Sequence, residues 1–190
     1  MILSATANQA QKLLSDVKGA LQSNERLKQD FSEVFTKKQN VQTKWIQHEI
    51  ITENDIDVTV WGWDQDFRGL KHHEERPTLY ILDDVDGNQN TYSAKSREDV
   101  YNWFNSTVLK GGAKVFNTIE IGTSIHPDSL LAKLTNKEIR PDFESETYKA
   151  IEKFSDRTDL WQRWGNILFN RGKETYNEEW GVQPGGISSV

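Results

Sequence analysis

Two adjacent acids, Asp83 and Asp84, have the type and position best suited to chemistry, because they follow the apolar run Leu79-Tyr80-Ile81-Leu82. A continuous apolar run of this length, bounded by turn residues, predicts a central strand of a parallel sheet. Ligands of open α/β folds bind at the carboxyl edge of such a sheet. Carboxylates at that edge suit Mg²⁺, and a second acid can orient or deprotonate a water molecule. The same pattern also fits a strand that ends in a solvated turn.

The elements that must position this acid pair alternate between strand and helix. Ile2 to Thr6 predicts the end of a buried strand, and the Thr6-x-x-Gln9 capping box begins an amphipathic helix that runs to about Ser23. Lys44 to Ile51 and Asp57 to Trp63 are two β-rich runs separated by turn residues, which predicts a hairpin.

The second half of the chain continues the alternation. The predicted elements are a helix capped by Ser96 and ended by Gly111-Gly112, a strand from Ala113 to Ile121, a short helix from Pro127-Asp128, and an aromatic helical region from Leu160 to Trp180. This order favours an α/β fold with a mostly parallel sheet. We expect one domain over residues 1–182 and a flexible tail over residues 183–190.

The composition excludes several classes of protein. With 190 residues, 35% of them hydrophobic, and seven tryptophans, the chain can bury a core. The lack of cysteine excludes disulfides and thiolate metal sites. A net charge of −6 disfavours a stand-alone DNA-binding domain. No run approaches the roughly 20 apolar residues that span a bilayer, and the N-terminus does not resemble a signal peptide. We therefore expect a cytoplasmic protein without a membrane partner.

Several ordered segments resemble the ATPase region of phage terminase large subunits. Gly62 to Leu70, then Arg76-Pro77 and the acidic strand, resembles that family's Arg-Gly turn, Arg-Pro pair and acidic strand. Ile119 to His126, followed by Asp128 to Leu131, is similar to the family's strand that ends in Gly-Thr and leads through a histidine to a short helix. The remaining similar segments are Ile2 to Leu14 and Leu160-Trp161.

The resemblance implies an incomplete RecA-like (ASCE P-loop NTPase) parallel sheet flanked by helices. Asp83 would be the Walker B carboxylate that holds Mg²⁺, and Asp84 would take the place of the catalytic glutamate. Gly122 and Thr123 would form the coupling motif that senses the γ-phosphate of ATP. Arg68 would act on the nucleotide of a neighbouring subunit. From the residues alone, Arg68 fits a surface salt bridge equally well, and Thr123 fits a helix cap.

The function implied is that of a viral DNA-packaging motor, which couples ATP hydrolysis to movement of double-stranded DNA into a procapsid. Its partners would be double-stranded viral DNA, a portal protein, a small terminase subunit and further copies of the large subunit in a ring. It would work in the cytoplasm of the bacterial host of a phage or prophage.

The chain departs from the family in one respect, because it contains no G-x-x-x-x-G-K-[ST] segment. Gly111-Gly112-Ala113-Lys114 follows a predicted helix and precedes a strand, whereas a phosphate loop needs the reverse order. We expect the family's phosphate loop before Met1, its nuclease domain after Val190, and little ATP hydrolysis by this chain alone.

Other functions fit the same residues. The chain fits a non-catalytic remnant, or half of a split protein completed by a separate phosphate-loop segment. It also fits a magnesium-dependent nuclease built on a cluster of carboxylates, namely Asp83, Asp84 and Asp86 with Asp64 or Asp66. The helicase branch of the same superfamily fits less well, because the spacing from Arg-Gly to Arg-Pro is more similar to that of terminases.

A transition-metal site is not expected from His72-His73 beside Glu74-Glu75. Adjacent residues of a regular element point in different directions, so they do not share one ion.

Overall fold

A computed structural model describes residues 1–151, 153 and 155–169. The chain forms two compact units, Met1–Ser145 and Glu146–Val190. The first unit is an α/β unit with a six-stranded sheet flanked by helices, so the predicted fold class is confirmed at that level. The tail predicted for residues 183–190, and with it the predicted domain boundary, lies outside the described residues.

The sheet has the strand order β2-β3-β4-β1-β5-β6. Its strands are β1 (Ile2–Ser4), β2 (Lys44–Ile46), β3 (Glu49–Ile51), β4 (Asp57–Gly62), β5 (Leu79–Asp83) and β6 (Asn117–Ile121). Strands β4, β1, β5 and β6 are parallel to one another, whereas β2 and β3 pair antiparallel and extend the sheet beyond β4. The sheet is therefore mixed, and the expectation of a parallel sheet holds only for these four strands.

The antiparallel part of the sheet has two strands because the run from Lys44 to Ile51 forms two short strands instead of the single strand predicted. The polar pair Gln47-His48 lies between β2 and β3, and Lys44 forms an ion pair with Glu49 across the new hairpin. The predicted hairpin between this run and β4 is confirmed as the antiparallel pair β3–β4.

The helices of the described residues are α1 (Ala7–Ser23), α2 (Glu25–Asp30), α3 (Asn88–Thr91), α4 (Ala94–Trp103), α5 (Leu109–Gly111), α6 (Leu130–Thr135) and α7 (Thr158–Phe169), with a 3₁₀ turn at Ser32–Phe35 and a π-helical turn at Phe104–Val108. The N-cap of α1 predicted at Thr6 is confirmed, whereas the reciprocal bond of a capping box, from the Thr6 main-chain N–H to the Gln9 side chain, is not among the hydrogen bonds of the described residues. Thr6 Oγ1 accepts a hydrogen bond from the Gln9 main-chain N–H at 3.2 Å and donates to Gln9 Oε1 at 3.0 Å.

The cap predicted for α4 was wrong. Ser93, and not Ser96, is the residue with extended backbone at the start of this helix, and its Oγ accepts the main-chain N–H of Ser96 at 3.0 Å. Two serines three residues apart both fit a cap, and only the backbone conformation distinguishes them. The following strand is also shorter than predicted, since β6 begins at Asn117 and not at Ala113.

Helices pack on both faces of the parallel part of the sheet, although on the α1 face the side chains of Leu79, Ile119 and Ile121 remain exposed. Adjacent residues of β1 point to opposite faces, so Ile2 packs with α1 and Leu3 packs beneath α4. The core on the α1 face is Ile2, Ala10, Leu14, Ile50 and Val60. The core on the other face is Leu3, Phe67, Tyr80, Leu82, Val85, Val100, Phe104, Val108, Leu130 and Leu134.

The second unit contributes one helix to the described residues, α7, which lies in the region predicted to be aromatic and helical. The indole rings of Trp161 and Trp164 pack edge to face on it with centroids 5.8 Å apart. Among the described residues, none of the helices has the length and apolar character needed to cross a membrane.

Candidate functional site

The acid pair lies at the carboxyl end of β5, between the ends of β1 and β6. In the strand register, Asp83 is opposite Ser4 of β1 on one side and Ile121 of β6 on the other. Asp84 continues this pairing, because its main-chain N–H donates to the Ile121 carbonyl at 2.9 Å. The chain then turns sharply, with a positive φ of 44° at Asp84. Asp83 and Asp84 therefore occupy the edge predicted from the apolar run before them.

The segment after β6 contacts this acid pair directly. The main-chain N–H of Thr123 donates to Asp84 Oδ1 at 3.3 Å. A Cβ on Gly122 would lie 3.4 Å from the same oxygen, so the glycine lets the carboxylate lie close to the main chain. The two motifs that the sequence separates by almost forty residues are thus brought together. The roles assigned to these residues remain predictions.

A partly buried carboxylate that the sequence analysis missed, Glu120, lies beside the same edge. Its Oε2 is buried and has no hydrogen-bond partner within the described part of the chain. Burial, and then the charges of Asp86, Asp84 and Asp83, raise the pKa of Glu120 well above its ordinary value. Burial, and then the charge of Asp84, also raise the pKa of Asp83. The edge therefore concentrates negative charge and would be stabilised by a cation.

The signal for Glu120 was present in the alternation of β6. Ile119 and Ile121 lie on one face of this strand, so Glu120 must lie on the other, the face of its register partner Leu82. On that face Leu82 packs in the same core as Val100 of α4, and Glu120 is partly buried. In the sequence analysis this segment was treated only as a strand, and Glu120 was therefore not identified.

Asp86 has a structural task that the sequence did not predict. It is buried, and its Oδ1 and Oδ2 accept the main-chain N–H groups of Leu130 at 3.1 Å and Leu131 at 2.8 Å. Ser129 caps the same helix, so α6 begins two residues later than the predicted start. Asp86 therefore connects the loop after the acid pair to the helix that follows Gly122 and Thr123.

The carboxyl end of β4 lies on the other side of β1 from the acid pair. A Cβ on Gly62 would lie 2.7 Å from the main-chain nitrogen of Ala7, so only glycine allows β4 to approach the first residue of α1 this closely. The carbonyl of Ser4 accepts the main-chain N–H of Trp63 at 3.0 Å, which continues the β1–β4 pairing past the strand end.

The guanidinium of Arg68 pairs with Asp66 and not with the acid pair. It lies in the loop after β4, where its Nε donates to Asp66 Oδ1 at 2.9 Å and its Nη2 to Oδ2 at 2.7 Å. Both side chains are exposed, and hydrogen bonds from Arg68 lower the pKa of Asp66 to about 2. In this conformation Arg68 forms a surface ion pair, which was the alternative prediction for this residue.

His72 and His73 do not point apart as expected, and this expectation was wrong. The Nε2 atoms of both rings lie within hydrogen-bond distance of Asp55 Oδ1, at 2.8 Å and 3.1 Å. The reason is a tight turn with positive φ at His73 (47°) and Glu74 (68°). The expectation assumed a regular strand or helix, and this turn is neither.

No protein-family model matches the chain, and neither does any of the curated proteins compared with it. The chemistry that the site can perform is therefore inferred from its side chains. Clustered carboxylates at the carboxyl edge of a sheet can hold a divalent cation, and ligands of open α/β folds bind at that edge.

Proposed function

We propose that this chain is part of the ATPase of a viral DNA-packaging motor, the terminase large subunit, with a RecA-like fold. One observation carries the proposal: the acid pair that ends β5 contacts the Gly-Thr step that follows β6, through the hydrogen bond from Thr123 to Asp84. The segments that resemble the family in sequence thus meet at one edge of the sheet, where nucleotides bind in open α/β folds.

The carboxylates of this edge fit a magnesium ion accompanied by ATP. Asp83 and Glu120 both have raised pKa values because they are partly buried and lie close to other acids, and a divalent cation would relieve that repulsion. Asp83 would hold the ion. When bound, Mg²⁺ neutralises charge on the triphosphate.

Asp84 is the residue that we assign to orienting the attacking water. One of its oxygens accepts the Thr123 N–H, and its own N–H is bonded to the Ile121 carbonyl. Its position is thus fixed relative to β6 on both counts. Preorganisation of this kind lets a carboxylate direct a water molecule without rearranging at the moment of reaction.

The same contacts provide a route from nucleotide to DNA movement. A shift of Gly122 and Thr123 toward or away from a γ-phosphate would pull on Asp84, and Asp86 would transmit movement of the acid loop to α6. The device that couples hydrolysis to translocation is, in this proposal, the pair of hydrogen-bonded connections between these two loops.

Arg68 is exposed on the loop after β4, where it can reach another subunit. In the proposed ring it would leave Asp66 and approach the nucleotide of its neighbour. An arginine supplied in this way stabilises the charge of the transition state and accelerates hydrolysis by about three to five orders of magnitude.

The outermost strand of the sheet, β6, supports completion of the nucleotide site by a further segment. β6 is the last strand in the sheet order, and on its outer face Ile119 and Ile121 are exposed beside Leu79. An unpaired strand with an apolar face favours addition of another strand. A segment bearing the phosphate loop, on a longer chain or a separate one, would pair here. The exposed strand β6 favours a chain that is completed by such a segment over an inert remnant.

The nuclease alternative receives less support from the geometry. Asp86 is occupied by the main-chain N–H groups of α6, and Asp66 by Arg68. These two carboxylates are therefore not free to join Asp83 and Asp84 around a pair of metal ions.

The test is ATP hydrolysis by the assembled motor that contains these residues, measured with and without linear double-stranded DNA. We expect DNA-stimulated hydrolysis that Asp83→Asn reduces by at least about a hundredfold, because the magnesium carboxylate is lost. Asp16→Asn, on the exposed surface of α1, is the matched control and should retain full activity. Full activity of Asp83→Asn would contradict the proposal. Magnesium-dependent plasmid cleavage that Asp83→Ala abolishes would replace it with the nuclease.

A further inference from the structure

A turn and a hairpin bring one carboxylate and two imidazoles together at a distance from the acid pair. Asp55 lies in the turn between β3 and β4 and has a positive φ of 71°. Its main-chain N–H donates a hydrogen bond of 3.0 Å to the Thr52 carbonyl, which stabilises the turn. His72 and Glu75 exchange two main-chain hydrogen bonds of 2.9 Å, so His73 and Glu74 form a two-residue turn. Both turn residues have positive φ, the conformation that glycine and asparagine usually supply. Such strain in other residues is typical of functional sites.

The turn directs two ring nitrogens at the same oxygen. His72 Nε2 lies 2.8 Å and His73 Nε2 lies 3.1 Å from Asp55 Oδ1, and the ring centroids are 4.1 Å apart. One donor atom from each of the three residues lies within 4.8 Å of the other two. Bond lengths of about 2 Å in a tetrahedral zinc site separate ligand atoms by about 3.3 Å, and the two nitrogen–oxygen distances are already close to that separation.

A second carboxylate stands behind the cluster. Asp57 Oδ2 lies 3.8 Å from His72 Nδ1, on the ring edge opposite Asp55. Asp57 Oδ1 is buried and has no hydrogen-bond partner among the residues whose structure is described. In metal sites a carboxylate in this position receives the second ring N–H of a histidine ligand, which fixes its tautomer and leaves the other nitrogen free to bind the ion.

We propose that Asp55, His72 and His73 bind a zinc-class divalent transition-metal ion, with Asp57 as the carboxylate that positions His72. Two imidazoles and one carboxylate suit Zn²⁺ or Co²⁺ and do not suit Mg²⁺, which prefers oxygen ligands and water. The ion ties the turn before β4 to the hairpin in the loop before β5. The same loop carries Arg68, so the bound ion restrains the part of the loop that follows Arg68. The site is separate from the acid pair and stands whether or not the chain belongs to a packaging motor.

The test is titration of the chain, with no affinity tag, with Co²⁺ as a visible-absorbance probe, followed by competition with Zn²⁺ and Mg²⁺. We expect one equivalent of Co²⁺, displaced by Zn²⁺ and retained in excess Mg²⁺. His73→Ala should lower the affinity by more than about a hundredfold, and Asp57→Asn by about ten- to a hundredfold, the usual effect of losing a carboxylate that orients a ligand. Because His73 is mostly exposed, its removal should leave the far-ultraviolet circular dichroism unchanged.

His48→Ala is the matched control, because His48 is an exposed histidine outside the cluster and its loss should leave Co²⁺ binding unchanged. The proposal is overturned if Co²⁺ shows no saturable binding, or if His48→Ala weakens binding as much as His73→Ala. Loss of binding in Asp83→Asn with full binding in His73→Ala would also overturn it, because the ion would then lie at the sheet edge.

Discussion

The main-chain N–H of Thr123 donates to Asp84 Oδ1 at 3.3 Å, which joins the loop after β6 to the loop after β5. The bond in the other direction, from the Asp84 N–H to the Ile121 carbonyl at 2.9 Å, makes this connection reciprocal. A change in either loop therefore moves the other. The proposed motor depends on this property, since a group that senses phosphate must act on the residue that orients water.

Glu120 gives the site a pH dependence of known sign. Its pKa in the folded chain is raised well above 4.5, first by burial and then by neighbouring acids, of which Asp86 contributes most. The folded state thus holds a proton that the unfolded state releases, and the free energy of unfolding falls as pH rises above about 4.5. Glu120→Gln should remove this decline and raise stability at pH 8 by about 1–3 kcal/mol.

The measurement for Glu120 is chemical denaturation of both proteins, followed by tryptophan fluorescence, at pH 4 and pH 8. The difference between variant and wild type should be small at pH 4 and grow toward pH 8. Equal differences at both pH values would show that Glu120 does not titrate as its surroundings indicate.

Gly62 and Gly19 should respond to alanine with opposite signs. A Cβ at Gly62 meets the main-chain nitrogen of Ala7 at 2.7 Å, so Gly62→Ala should lower the free energy of unfolding by about 1–3 kcal/mol through overpacking. Gly19 lies in α1 with no atom within 4 Å of its added Cβ, so Gly19→Ala should raise it by about 0.5–1 kcal/mol. Denaturant titration of the two variants checks both signs, and a tolerated Gly62→Ala would contradict the close approach of β4 to α1.

Asp86→Ala should free the start of α6. The substitution removes the acceptor of two main-chain N–H groups. Each hydrogen bond to a charged group contributes at most about 1.5–3 kcal/mol to the free energy of unfolding. Hydrogen exchange followed by NMR should show that the amides of Leu130 and Leu131 lose protection. Asp99→Ala, at an exposed position of α4, serves as the control and should leave these amides protected.

Arg68→Ala distinguishes the two interpretations of this arginine. Its ion pair with Asp66 is exposed, so its loss should not change the fold. In the assembled motor the substitution should reduce ATP turnover by about three orders of magnitude if Arg68 acts on a neighbouring nucleotide. Steady-state turnover of the variant close to that of the wild type would leave Arg68 as a surface ion pair.

The sequence predicted those parts of the fold that follow from strand polarity. The apolar run before Asp83 fixed both the strand and the edge at which its acids lie, because parallel strands end together. The N-cap at Thr6 was predicted for a similar reason, since a cap depends on a few adjacent residues. These features need only local pattern and general geometry.

Other features depended on backbone conformation or on contacts between distant residues. Ser93 and Ser96 were equivalent as caps until the backbone distinguished them. The meeting of His72 and His73 on Asp55 required positive φ in residues that rarely adopt it. Asp86 was predicted only as a metal-binding carboxylate of the nuclease alternative, and the position of α6 identifies its actual partners.

The central claim is that Asp83 holds the metal of a metal–ATP complex beside Asp84 and Thr123. It is tested most directly by two-dimensional amide NMR of the chain, completed by the phosphate-loop segment, with Mn²⁺–ATP, because paramagnetic broadening identifies the residues nearest the ion. We predict selective broadening of Ser4, Asp84 and Thr123, which Asp83→Asn removes and Asp16→Asn preserves. Broadening that persists in Asp83→Asn, or that is confined to other parts of the chain, would contradict the account.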